Sequence, residues 1–490
     1  MSGWIAGIET EYGLAVDGRG PEDQVEDATA FVRSFPGKAF YGWDSRHESP
    51  RADLRGFTVE RLSTDPVDAA FDAGRAHGSI SEVRADTVLT NGARLYNDHG
   101  HPEYATPECL SIQELVLHDL AGETVLLECS KEFERIHGRR TTVYKNNSDG
   151  HGASYGTHES YLAPRALSFE TLMRTVLPIL VARTLLCGAG KVGSEAGPWC
   201  DYQLSQRADF LVEAANVETL FRRPVLNTRD EPHSSGQHWI RLHVISGDAN
   251  RIASATALKV GLVKTALALA AIDHCPEWNL RDAPRSFADV SRSLDGEARI
   301  ELSGGSWTTA RHILAELCES ACRHLGPGEL QDTAYLAMEQ MDLFSNDRDK
   351  FARRCDWAAK QKLLEQYRDV TGTGWRDPGL KACELGYHNI DPAESLFDPL
   401  VGTGIIEAQP DPGLVAQRLT AVLEPTRARA RALAVSKFGA ELQSVSWGVL
   451  VFNRREGATQ VRLAPEKGYP ESLAEAEDVE SFIEQLEALN

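Results

Sequence analysis

Glu9 and Glu11, in Gly7-Ile8-Glu9-Thr10-Glu11-Tyr12-Gly13, are spaced by the side-chain period of a β-strand, so both carboxylates fall on one face. The same rule aligns Arg94, Tyr96 and Asp98 in Asn91-Gly92-Ala93-Arg94-Leu95-Tyr96-Asn97-Asp98, and His158 with Ser160 in the run from Ala153 to Tyr161. It also aligns Arg241 with His243, while Ile240, Leu242 and Val244 supply an opposite, apolar face. Any one strand could be a solvated sheet face, but such faces mostly carry Lys, Glu, Thr and Ser. Here Glu, Asp, His, Tyr and Arg recur instead. Carboxylates with imidazoles suit Mg²⁺ or Mn²⁺ bound to nucleotide phosphates. Arginines on the same surface would neutralise phosphate oxygens through bidentate contacts. The chain has no Walker A sequence, so metal and arginine on a sheet would have to hold a nucleotide. These residues alone point to a metal-dependent, phosphate-handling enzyme. In His101-Pro102-Glu103-Tyr104-Ala105-Thr106-Pro107-Glu108, which comes after Asp98 and a tight bend, Glu103 returns to the same surface. Asn227-Thr228-Arg229-Asp230-Glu231-Pro232-His233, with alternating charge and a proline stop, reads on its own as a salt-bridged surface loop.

The elements that must position these residues can be read from periodicity. Strand-like segments dominate up to about Gly247: the pattern predicts strands at Trp4–Leu14, Ala93–Asn97, Thr141–Lys145, Ala153–Leu162, Tyr202–Phe210 and His238–Ser246, with a helix over Ser168–Leu186. Helices are predicted thereafter, at Ser254–Ile272, Thr308–Leu325, Leu330–Leu343 and Asp349–Val370. Strands first and helices later, without strict alternation, predict an α+β protein with an antiparallel sheet. Gln409-Pro410-Asp411-Pro412-Gly413 is a linker signal. The segment beyond it reads as a small C-terminal domain with a helix, strands at Ser446–Phe452 and Gln460–Leu463, and a final acidic helix. From Glu48 to Ser79 the chain is rich in Arg, Asp, Gly and Ala, with at most a short helix near Val67–Ala76; a loop this long is either functional or disordered.

Composition sets the outer bounds. The 490 residues carry 51 Lys+Arg against 72 Asp+Glu, a net charge of −21 that argues against broad binding to nucleic acid or anionic membranes. An apolar fraction of 42% and a charged fraction of 25% exclude disordered and low-complexity classes. Nine scattered cysteines without a CxxC suit a reducing, cytoplasmic compartment; Cys318 and Cys322 read as small hydrophobes of one helix. Val176–Leu186 and Leu258–Ile272 are interrupted by Pro178 and Arg183, and by Lys259 and Lys264, so neither reads as a membrane span, and the N-terminus has no signal-peptide pattern.

The runs GIETEYG, TNGARLYNDHGHPEYATPEC, YKNNSDGHGASYGTHESYL, LSQRAD, NTRDEPH and RLHVISGDAN resemble the family of the prokaryotic ubiquitin-like protein (Pup) ligase and the Pup deamidase/depupylase. The resemblance extends from Ile8 to at least Trp447. It implies a glutamine-synthetase-like α+β domain over 1–408, with a curved, mainly antiparallel sheet backed by helices, and a small C-terminal domain over 414–490. Residue by residue, it implies that Glu9, Tyr96, Glu103, His158 and His243 are Mg²⁺ ligands and that Asp98 is the catalytic aspartate. Ala105 with Thr106, Ser160, Arg241, Arg427 and Trp447 match nucleotide contacts, with Arg94 a further one carried over from the ligase pattern. Ser160 stands where the family usually has Asn; its shorter hydroxyl can still donate to an oxygen.

Within the family, three features resemble the depupylase: Trp43-Asp44 through Arg55-Gly56-Phe57 as the start of a long loop of about 48–79, the Asp98-His99-Gly100-His101 spacing (one residue shorter than in the ligase), and Asp149-Gly150-His151-Gly152-Ala153-Ser154-Tyr155. Ile8-Glu9-Thr10-Glu11 and Ala105-Thr106 lean toward the ligase. The expected reaction is hydrolysis of the isopeptide joining Pup to target lysines and deamidation of the Pup C-terminal glutamine, with ATP and Mg²⁺ as bound cofactors. The alternatives are a Pup ligase that consumes ATP through a glutamyl phosphate, and a non-catalytic member that binds Pup. The expected partners are Pup and pupylated proteins, with no nucleic acid and no membrane. Pup is acidic in this family, so two acidic chains must meet, and Arg427, Arg429, Arg431 and Lys437, or Arg222-Arg223, are candidates for a basic strip.

Overall fold

The computed structural model of the protein describes residues 4–62, 80–150, 154–220, 222–231, 238–455 and 457–489. Its centre is a nine-stranded sheet built from β1 (Ala6–Glu11), β2 (Ala39–Phe40), β3 (Thr87–Leu89), β4 (Arg94–Asp98), β5 (His101–Ala105), β6 (Thr157–Pro164), β7 (Glu213–Asn216), β8 (Pro224–Asn227) and β9 (Trp239–Gly247). The spatial order is β7-β8-β9-β6-β1-β5-β4-β3-β2. Every pairing is antiparallel except β7 with β8. The fold is α+β, as the element order predicts.

Alternation gives this sheet two unlike faces. Ile8, Tyr161, Leu242 and Val244 point into the main core, which helices α1 (Phe169–Ala182) and α2 (Ala253–Ala270) complete from behind. Leu95 and Tyr104 enter a second core with Val125 and Leu126 of the helix Ile112–His137. That 26-residue helix, capped by the Ser111 side chain and by Gly138 in the left-handed region, is the longest element that periodicity did not flag. Helix α2 is the one described helix long and apolar enough to cross a membrane, and 89% of it is buried inside the protein. Cys318 is fully buried on Ala310–His324 and Cys322 packs against the same core, as small hydrophobes of one helix.

Buried carboxylates correct two predicted elements. Tyr202–Phe210 is not one strand: only Tyr202–Gln203 pairs, because Asp248 takes the Ser205 hydroxyl and the amide N–H groups of Gln206 and Arg207, which turns the chain into a short 3₁₀ helix. The predicted helix Asp349–Val370 divides into Arg348–Ala352 and Asp356–Thr371. Asp356 is fully buried and accepts from the Arg251 and Ile252 amides, Asn250 and Tyr387, and this fixes the point where the second helix begins.

The C-terminal segment adds helix α3 (Arg427–Phe438), three antiparallel strands at Leu442–Val445, Val449–Arg454 and Gly457–Arg462, and the helix Val479–Leu489 around an apolar cluster that Val88 of β3 joins and Phe40 and Trp43 pack against. Ser446–Phe452 is therefore not continuous; the bend at 446–448 presents Trp447. The predicted short helix at Val67–Ala76, His151-Gly152-Ala153 and Pro232-His233 lie outside the described residues.

Candidate active site

Register brings the chemistry-bearing side chains onto the one sheet face that the apolar cores leave open. Glu9 stands opposite His158 on β6 and opposite Ala105 on β5, and Ala105 stands opposite Arg94 on β4. One step along, Glu11 faces Glu103, which faces Tyr96. Ser160 pairs with His243. Asp98 and His101 close the β4–β5 hairpin through His99 and Gly100, both at positive φ (47° and 90°), the two-residue turn whose twist suits a hairpin.

Two donor clusters result. Glu9, His158 and His243 form one, and Glu11, Asp98 and Glu103 the other, each with one donor atom per residue inside 4.8 Å of the rest. His158 links them, with Nδ1 3.7 Å from Glu9 and Nε2 3.9 Å from Glu11. Gly156 is required here: a Cβ would lie 2.1 Å from His158 Nε2. Its amide donates to Glu11, a carboxylate that the resemblance left without a role.

The electrostatics call for a cation. Glu103 is 1% exposed, and burial together with the Asp98, Glu11 and Glu9 charges raises its pKa well above the carboxylate range. Its Oε1 is buried without a hydrogen-bond partner. Burial also raises the Tyr96 pKa, with Glu103 and Glu9 adding to it, so the phenol stays protonated. Carboxylate and imidazole donors around an orphaned carboxylate oxygen fit Mg²⁺ or Mn²⁺. At Glu9 burial is outweighed by Arg241 and His158, which hold its pKa at about 2. At Asp98 burial is likewise outweighed, by His99, Arg84, His158 and Arg94, and the carboxyl ionises below its ordinary value.

Arg241 donates from Nε to Ser160 Oγ at 3.1 Å and from a terminal nitrogen to Glu9 at 3.1 Å, and lies 3.5 Å from Glu231. Beside it opens a cleft. The sheet supplies Gly7, Glu9, Thr106, Ser160 and Arg241, and the C-terminal segment closes the other wall with Arg427 and Trp447. Five of the seven expected nucleotide contacts thus meet in one cleft. Ala105 is one residue from the lining. Arg94 is not on it: the guanidinium is sandwiched 4.1 Å from the Trp43 ring centroid and 4.0 Å from that of Tyr96, and hydrogen-bonded to Asp86 at 2.9 Å.

Two further readings are corrected. Asn227–Glu231 is no surface loop: Asn227 and Thr228 are fully buried, Thr228 donates to Asp53 at 2.6 Å, and Glu231 faces Arg241. Nor do Arg427, Arg429 and Arg431 form a basic strip. Each is less than 8% exposed; Arg427 and Arg431 bind Glu108, while Arg429 reaches the backbone oxygens of Leu423 and Tyr469. Lys437 is exposed, with its ammonium on the carbonyls of Ala474 and Ala476.

Comparison with known proteins identifies the family. A family model described as Pup-ligase protein matches residues 4–451. A depupylase of Acidothermus cellulolyticus is 35% identical over 92% of this chain and 91% of its own length. A Pup–protein ligase of Corynebacterium jeikeium is 34% identical over 84% of this chain and 91% of its own. Two solved structures of the Pup ligase PafA superpose, one in complex with Pup (TM-score 0.78, 28% identical, 99% of this chain and 92% of that one) and one with ADP (TM-score 0.73, 27%, 88% and 96%). The chain belongs to the family of Pup ligases and depupylases.

Proposed function

We propose that this chain hydrolyses the isopeptide between Pup and target lysines and deamidates the Pup C-terminal glutamine, with ATP and Mg²⁺ bound as cofactors. The observation that carries the reading is the complete two-residue turn after Asp98. It has the depupylase spacing and holds the carboxylate at the hairpin tip beside Glu11 and Glu103. The near-full-length match to a protein named depupylase supports the same branch. The ligase reading draws on the two PafA structures, and it differs in consuming ATP through a glutamyl phosphate to form the isopeptide.

Amide hydrolysis needs a nucleophile or an activated water and a stabiliser for the developing oxyanion. Asp98 is ionised by its cationic neighbours and serves either as the nucleophile on the carbonyl carbon or as the base that takes a proton from water. Glu9, Tyr96, Glu103, His158 and His243 are the residues that would hold Mg²⁺, which supplies neutralisation of phosphate charge when bound. Arg241 and Ser160 orient the phosphate end of the cleft, and Arg427 and Trp447 close it. The test is a Pup–peptide isopeptide incubated with ATP and Mg²⁺. Release of free peptide by the wild type and its loss in Asp98→Asn are expected, and full activity in Asp98→Asn removes both roles of that carboxylate. ATP-coupled attachment of glutamate-ended Pup to lysine would assign the chain to the ligase branch.

A further inference from the structure

Glu108 belongs to none of the expected ligand or nucleotide sets, yet it sits where the two walls of the cleft meet. Its carboxylate accepts from Arg427 Nε at 2.6 Å and from two nitrogens of Arg431 at 2.5 and 3.3 Å. Arg431, fully buried, also donates to the Gly92 carbonyl at 2.9 Å and to the Trp447 carbonyl at 3.2 Å, and its guanidinium lies 4.8 Å from the Trp447 ring centroid. The Thr426 hydroxyl donates to the Glu108 carbonyl at 2.8 Å, and Glu424 accepts the amides of Leu110 and Ser111. One carboxylate of the sheet segment therefore gathers two arginines of α3, one lining the cleft and the other backing the tryptophan that lines it. We propose that Glu108 is a positioning residue that clamps Arg427, Arg431 and Trp447 against the sheet, so that nucleotide binding and seating of the C-terminal segment are coupled.

This rests on reading the cleft as the nucleotide site. The coupling has a physical basis: Arg427 and Trp447 can act on a ligand held by Arg241 and Ser160 only when α3 is seated, and a ligand bridging both walls adds its own contacts to the seated state. Buried arginines that lose their shared carboxylate are left uncompensated, so the seated state is the one that suffers.

The experiment uses the full chain with Mg-ATP. Glu108→Gln keeps the shape and removes the charge. The half-saturating ATP concentration should rise by about tenfold or more, the scale of a lost charged hydrogen bond, and by more than kcat at saturating ATP falls. Amide exchange over Arg427–Phe438 and Val449–Arg454 should lose the slowing that ATP gives the wild type. Arg431→Met should do the same, and the double variant should be no worse than the more severe single one. An unchanged ATP requirement with a lower kcat would mean that Glu108 supports folding alone and would overturn the clamp, as would additive effects. Should Glu108→Gln be insoluble, Glu108→Asp, which keeps the charge on a shorter stem, must show the same shift in ATP requirement. A wild type that binds no ATP overturns the reading of the cleft and the clamp with it; wild-type binding with an unshifted variant overturns the clamp alone.

Discussion

Arg183→Met tests whether the strand that carries His158 and Ser160 is anchored from behind. Glu159 lies between them, points to the opposite side and is fully buried. It receives two nitrogens of Arg183, at 2.7 and 2.5 Å, and the Tyr161 hydroxyl, while Arg183 also donates to the Lys259 carbonyl of α2 at 2.8 Å. Removing the guanidinium leaves a buried carboxylate with one hydroxyl, and breaking such a pair costs about 3–5 kcal/mol. For a chain of 490 residues, about 2.1 cal/mol/K per residue converts that into a fall in Tm of about 3–5 °C. Because both charges would otherwise have to leave water together, Glu159→Gln with Arg183→Met should recover more than half of the loss. Calorimetric melts of the wild type, the two single variants and the double variant close the cycle. A Tm for Arg183→Met within about 1 °C of the wild type, or a double variant worse than either single one, would refute the anchoring argument.

Gly92→Ala should destabilise by about 1–3 kcal/mol, since Gly92 has φ 74° and a Cβ would lie 2.7 Å from the Ala428 carbonyl; limited proteolysis of the C-terminal segment should quicken accordingly. Arg241→Lys, which gives up the fork shared by Ser160 and Glu9, should weaken ATP binding by about tenfold in calorimetry while leaving the melt nearly unchanged. The Glu108 carboxyl ionises at about 2 against an ordinary 4.5, held down against burial by Arg431 and Arg427. A depressed folded-state value means that the stabilisation is present above pH 4.5 and lost as pH falls from 4.5 toward 2. Glu108→Gln should therefore show a shallower acid-side loss of stability than the wild type, with no difference in slope between about pH 6 and 8.

How much of this was legible beforehand depended on the kind of period involved. A period of two is unambiguous once a strand exists, so Glu9 with Glu11, His158 with Ser160 and Arg241 with His243 could each be placed on one face of their own strand without knowing which strands neighbour one another. Neighbour order is a long-range property, and it decided the residues that were missed. Glu11 shares the face of Glu9, yet it is the approach of β5, of His158 and of the Gly156 amide that gives it company. Glu231 looked like surface charge because nothing local shows that Arg241 will stand against it. Arg94 shares the face expected to meet phosphate, while Asp86 and the rings of Trp43 and Tyr96 surround its guanidinium, which local pattern does not show. In Arg427-Ala428-Arg429-Ala430-Arg431 the error was geometric: on a helix, positions four apart share a face and the one between them does not. Arg427 and Arg431 accordingly meet Glu108, and Arg429 turns away to Tyr469.

The interior placement of those arginines also bears on how an acidic enzyme takes up an acidic ligand. The site brings together Glu9, Glu11, Asp98, Glu103 and Glu231, with Arg241, Arg84 and Arg229 as cations near them and Arg94 already paired with Asp86. Burial lowers the pKa of Arg229, and Arg241 adds to the shift, so the cationic side is already strained by its own crowding. Arg427 is committed to Glu108. On the proposed reading, a polyphosphate entering such a surface would meet more negative charge than the arginines can offset, and divalent cations on the two donor clusters would make up the deficit. Nucleotide affinity should therefore depend on Mg²⁺ much more steeply than counterion pairing in solution alone requires. Calorimetric titration of ATP into EDTA-treated protein should give binding weaker by about 100-fold or more than with Mg²⁺ in excess, and His158→Ala should reproduce most of that loss with Mg²⁺ present. If the metal-free protein bound ATP within about threefold of the Mg²⁺-saturated value, the arginines alone would suffice and the electrostatic account of these clusters would be wrong.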